Sequence, residues 1–148
     1  MSLKARVQDD VKTAMRSHER DRLGALRLIT AAIKQKEVDE RIELSDEQVL
    51  AVLDKMVKQR RESLEQFEKA GRGDLAEKEQ FELGIIQTYL PEPIDTDELQ
   101  ALIRNTIEEL GASIIRDMGQ VMNTLRGQVQ GRADMKAVSQ AVKDQLNS

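Results

Sequence analysis

Apolar residues recur at three- and four-residue spacings along almost the whole chain, and alternating or β-branched runs of strand type are missing. The pattern therefore predicts an all-α protein. Seven helices fit the punctuation. The first, about 2–16, opens at Ser2 and aligns Leu3, Val7, Val11, Ala14 and Met15; the second, about 20–40, turns Leu23, Leu26, Ile29 and Ile33 inward. Ser45 with Gln48 reads as a capping box for a long third helix, about 46–70, with the stripe Val49, Leu53, Met56, Val57, Leu64 and Phe67. Asp74 with Glu77 reads as a second box, opening a helix of about 75–90 that carries Leu75, Phe81, Ile85, Ile86, Tyr89 and Leu90. Asp95 caps a fifth, about 96–110. Asp117 is placed to cap a sixth, about 118–126, and Asp134 a seventh, about 135–146.

Both prolines fall in Leu90-Pro91-Glu92-Pro93-Ile94. Proline fixes φ and biases the residue before it toward extended backbone, so the helical stripes stop there. The expected organisation is an N-terminal helical bundle with long helices over 1–91 and a small C-terminal three-helix domain over 95–148. The aromatics Phe67, Phe81 and Tyr89 all precede Pro91 and are expected to pack the corner between the third and fourth helices. The C-terminal part has none and must be held by aliphatic and methionine packing.

Composition removes whole classes of chemistry. With no cysteine there is no disulfide framework, thiolate nucleophile or Cys-based metal site, and the single histidine, His18, leaves no room for a multi-His centre. His18 lies in the polar turn Arg16-Ser17-His18-Glu19, where an exposed, non-catalytic histidine is expected. No phosphate-binding loop of the Walker or dinucleotide type occurs. Glu77, Glu79 and Glu82 share a helix with Lys78 and read as capping and surface-pairing residues rather than an acid–base pair. The Gly71-Arg72-Gly73-Asp74 turn reads as a helix–helix connection, with anion binding at the following N-terminus as the alternative. No catalytic, cofactor or metal site is expected. Neither a membrane-spanning run nor a secretory apolar stretch is apparent, and the expected compartment is the cytoplasm.

Net charge is −4 but unevenly spread. Residues 1–36 carry nine basic and four acidic side chains, 37–54 one and seven, 92–117 two and seven, and 126–143 four and one. Solvated helix faces account for such blocks unless cations converge. On the second helix Arg20, Arg27 and Lys34 recur every seven residues. On the last, Lys136, Gln140 and Lys143 share a face opposite Val138, Val142 and Leu146. With Arg126 and Arg132 in the approach, the candidate nucleic-acid contacts are Arg126, Arg132, Lys136 and Lys143, the alternative being ordinary solvated cations.

The runs Lys58-Gln59-Arg60-Arg61-Glu62-Ser63, Ala70-Gly71-Arg72, Asp74-Leu75-Ala76-Glu77-Lys78-Glu79 and Tyr89-Leu90-Pro91 carry a resemblance, as do Asp117-Met118-Gly119-Gln120-Val121-Met122 followed by Gly131-Arg132-Ala133-Asp134, and the stretches Ala25-Leu26-Arg27-Leu28 and Ala31-Ala32-Ile33-Lys34. In combination they resemble the YqeY family, over essentially the whole chain. Met135 stands where free-standing members often have Gly. The family's domain is similar to the C-terminal tail of GatB, the B subunit of the tRNA-dependent amidotransferase. The resemblance implies an all-helical, accessory, tRNA-contacting protein tied to carbon–nitrogen ligase systems that use glutamine as amide donor. The chain is not expected to be catalytic by itself. Its implied partners are tRNA and an amidotransferase or aminoacyl-tRNA synthetase; the alternative is a protein-interaction module whose acidic 37–54 and 92–117 surfaces meet a basic partner, such as a synthetase or amidotransferase.

Overall fold

A computed structural model describes residues 1–147 and is all-α. Seven helices run in order: α1 (Leu3–Arg16), α2 (Arg20–Glu40), α3 (Asp46–Lys69), α4 (Gly73–Gln87), α5 (Thr96–Leu110), α6 (Met118–Val129) and α7 (Met135–Leu146), with a 3-10 turn at Ile115–Asp117 before α6. Local capping chemistry explains most starts. Ser2 Oγ accepts from the Ala5 amide at 3.1 Å, and Ser45 and Gln48 form the expected reciprocal box at 3.3 and 2.9 Å. Asp95 and Asp134 accept from the amides two residues on, at 3.1 and 3.2 Å.

Two expected caps are not made. Helix α4 begins earlier, at Gly73, and its cap residue Arg72 offers no side-chain bond. Asp74 therefore lies inside the first turn, where its carboxylate accepts from Arg72 Nε and Nη2 at 3.2 and 3.1 Å. The guanidinium holds that carboxyl below its usual range. Asp117 turns backward: its Oδ2 accepts from the amides of Ser113 and Ile114 at 3.0 and 3.3 Å, closing the turn before α6 instead of capping the helix after it.

The chain divides into two compact units, Met1–Leu90 and Pro91–Ser148. In the first, α1 packs on α2 and α3 on α4, with α2 touching both of the latter. The core joins Val7, Leu26, Ile29, Val49, Leu53 and Ile86. Burying side chains of this size contributes roughly 1.5–3 kcal/mol each before the cost of ordering the chain. Glu37, near the end of α2, ties several pieces together. Its carboxylate accepts from Lys4 Nζ on α1 and from the Leu44 amide beyond α2, both at 2.9 Å, and these bonds lower its pKa.

The acidic residues of α4 depart from expectation. Glu82 is only 8% exposed, and with Glu79 it brackets Arg60 of α3: Arg60 Nη1 lies 3.4 Å from Glu79 and Nε 3.3 Å from Glu82. An ion cluster in the helix–helix interface replaces surface pairing. The aromatics also separate. Phe81 is 43% exposed and Phe67 half-buried, leaving Tyr89 as the buried one.

Tyr89 closes the end of α4 onto α1. Its phenol donates a short hydrogen bond to Asp10, and Arg6 stacks over the ring at 4.9 Å while donating to the Thr88 carbonyl at 3.2 Å. Burial first, and then the Asp10 carboxylate, push the phenol's pKa up. A raised native pKa on a group neutral when protonated gives stability that is complete below the ordinary phenol value of about 10 and declines as pH rises past it. Tyr89→Phe should flatten that alkaline limb in pH-dependent urea melts of the full chain. An unchanged limb would show that another group causes it.

The second unit packs α5, α6 and α7 around Ile103, Val121, Leu125, Val129, Val138 and Val142, all fully buried. Its entry segment is pinned internally. The Ile94 amide donates to the Arg132 carbonyl at 2.8 Å, and Arg132 Nε donates to the Glu92 carbonyl at 3.0 Å.

Candidate nucleic-acid interface

The face of α7 away from its core is set by simple periodicity. Val138, Val142 and Leu146 point inward, so Lys136, Gln140 and Lys143 are left on the outer side, and the structure exposes all three. Neither lysine forms an ion pair among the described residues. Gln140 donates to Asp144 at 2.9 Å. Arg126 occupies the last turn of α6, exposed, with a long 3.4 Å contact to Asn123 Oδ1.

Arg132 is placed differently. Besides its bond to Glu92, its Nη2 lies 3.9 Å from Glu98, and its side chain is 31% exposed. The guanidinium is thus partly spent on holding residues 92–94 against the α6–α7 loop, leaving its other N–H groups for an outside acceptor. Of the four predicted contacts, Lys136 and Lys143 share one helix face, Arg126 lies on the preceding helix, and Arg132 serves the connection between them.

Beside this face, Gln100, Ala137, Gln140, Ala141, Asp144 and Gln145 line a shallow groove of about 420 Å³ between α5 and α7. Two alanines give it a smooth floor, and the Asp144 carboxylate makes it a poor seat for a phosphate. Lys136 and Lys143 lie outside the groove lining. Sequence reasoning passed over Gln100 and Gln145, whose side chains meet at 2.8 Å across α5 and α7; amides so far apart in the chain carry no local signal of pairing.

No group of three or more His, Cys, Asp or Glu side chains able to hold a metal occurs among the described residues, and none of their helices is long and apolar enough to cross a membrane. His18 sits exposed in its turn at φ 57°.

These features define a helical protein whose described residues form two small cores and whose candidate contacts are cations of α6, α7 and the connection between them. The chain belongs to the YqeY-like protein family, whose model matches residues 4–146. It is similar to altered inheritance of mitochondria protein 41, mitochondrial, of Pyrenophora tritici-repentis, with 32% identity over 142 residues, covering 94% of this chain and 78% of the relative. Proteins of the same name from Eremothecium gossypii and Lachancea thermotolerans are 40% and 36% identical over 87 and 112 residues. Those matches cover 58% and 74% of this chain but only 48% and 60% of the relatives.

The names of these relatives overturn the expectation of a cytoplasmic protein, since they are described as mitochondrial. That expectation rested on the lack of an apolar span and of a secretory apolar stretch. Those features speak to membrane insertion and secretion and carry no information on mitochondrial residence.

Proposed function

We propose that this protein is a non-catalytic accessory that holds tRNA by its backbone, in the manner its resemblance to the amidotransferase B-subunit tail implies. The observation that carries the reading is the pair Lys136 and Lys143, exposed on one face of α7 and without ion pairs among the described residues, in a chain that is acidic as a whole. Arg126 extends the cationic surface, and Arg132 adds the part of its guanidinium not bound to Glu92. The C-terminal unit has no aromatic side chain, so contact would be to phosphate and shape with little reading of bases. The link to amide-transfer systems rests on the resemblance, with the catalytic steps assigned to partner proteins.

Three full phosphate contacts, at 0.7–0.9 released counterions each, give a log–log salt slope of about −2 to −3. Filter binding of tRNA across a salt series should show that slope, and Lys136→Glu combined with Lys143→Glu should remove most of it. Binding that ignores salt, or that survives both reversals unchanged, would falsify the reading.

A further inference from the structure

Helix α2 carries a second stripe that its core does not use. Leu26, Ile29 and Ile33 point into the first unit, yet Gly24, Leu28, Ala31, Gln35 and Val38 follow one another at four- and three-residue steps on the opposite side. All five are exposed, Leu28 at 42% and Val38 at 62%. That spacing matches the a/d seam of a coiled coil over two heptads, with Leu28 and Val38 as its large apolar positions, small residues at Gly24 and Ala31, and one polar position at Gln35.

Along one flank of the seam run Arg20, Arg27 and Lys34, seven residues apart. A solvated helix face normally matches such cations with acids three or four residues away. Here the only acid at those distances is Glu37, beside Lys34, and it is already engaged by Lys4 and the Leu44 amide. None of the three cations forms an ion pair among the described residues. Arg27, Ala31 and Lys34 also line a groove of about 500 Å³ between α1 and α2. The opposite flank holds Asp21 and Asp39, the latter taken by Gln35 at 2.8 Å.

We propose that this face of α2 receives an amphipathic helix of a partner protein, with apolar residues on the seam and acidic residues against the Arg20–Arg27–Lys34 ridge. Charge complementarity selects that occupant. A second copy packed antiparallel would set its ridge against this one, cation to cation, and one packed parallel would offer the three cations only Asp21 and Asp39, the latter already held by Gln35. Nucleic acid would have to lie across Leu28 and Val38 and beside Asp21 and Asp39. The surface is separate in sequence from Lys136 and Lys143, so it stands or falls without the tRNA reading.

A fluorescent three-heptad synthetic helix with leucine on its seam and glutamate on both flanks is the probe, read by anisotropy with the full chain. It should bind at least tenfold more tightly than the same helix with lysine flanks, and more weakly as salt rises. Arg27→Glu with Lys34→Glu should cost at least tenfold, and so should Leu28→Asp, with circular dichroism unchanged because all three sites are exposed. Lys136→Glu with Lys143→Glu should leave peptide binding as it was. Equal affinity for the two peptides, no binding of either, or indifference to the ridge reversal would overturn the proposal. Displacement of the peptide by single-stranded RNA would assign the ridge to nucleic acid instead. A dimer in sedimentation velocity that Leu28→Asp dissolves would assign the face to a second copy.

Discussion

Truncating Leu125 to alanine should unfold the C-terminal unit while the N-terminal one stays folded. Leu125 is fully buried on α6 among Ile103, Val121, Val129, Val138 and Val142, and no aromatic neighbour can shift to fill the space. Leu→Ala at such a site costs about 2–5 kcal/mol. A unit of this length has on the order of 3–9 kcal/mol in total, by the usual stability per residue. The substitution thus removes much or all of that margin. Hydrogen exchange followed by mass spectrometry should show α5, α6 and α7 losing protection with α1–α4 unaffected. Uniform loss in both units would show that they fold as one, and full protection of α6 would show that the site collapses around the missing methyls. Because the exposed lysines of α7 depend on this core for their placement, tRNA binding should fall in parallel.

Replacing Arg60 with methionine should cost the N-terminal unit about 2–4 kcal/mol, somewhat below the 3–5 typical of a fully buried pair because Arg60 and its partners keep some solvent contact. The loss is mainly the isolation of the Glu82 carboxyl, left without its guanidinium partner on the helix face it shares with Ile86, with Glu79 close by. Restoring an apolar interface separates that cost from lost packing. Arg60→Met with Glu82→Met should recover most of the stability, since an ion pair exchanged for apolar groups of similar volume is often close to neutral. Urea melts of the single and double variants, followed by circular dichroism, give the coupling directly. Additive effects would mean that the residues act independently and that the cluster is incidental.

The sequence spoke most clearly where the physics is local. Ser2, Ser45 with Gln48, Asp95 and Asp134 each bond to amides two or three residues away, and each was readable from residue type and spacing. Asp74 and Asp117 have the same chemistry but found other partners, Arg72 in one case and the preceding turn in the other. An acidic residue beside Glu77, Lys78 and Glu79 is ordinarily solvated, so the local sequence points Glu82 to the surface. A subtler signal was present: Leu75, Glu79, Glu82 and Ile86 share one helical stripe, facing the α3 stripe on which Arg60 follows Met56. Phe81 lies off that stripe, which explains its exposure. For the candidate interface, the outward placement of Lys136 and Lys143 was legible from the apolar spacing of α7. Arg132's bond to Glu92 joins residues 40 apart and no local pattern foretold it.

Tyr89 is the only tyrosine, and the chain has no tryptophan. Its placement between α1 and α4 makes the molecule optically lopsided. Near-ultraviolet circular dichroism and intrinsic tyrosine emission both see the N-terminal unit, and the C-terminal unit is dark to them. Loss of the C-terminal fold would pass unnoticed in a tyrosine-detected melt. One tryptophan introduced at an exposed α7 position such as Ala137 would give the second unit a colour of its own.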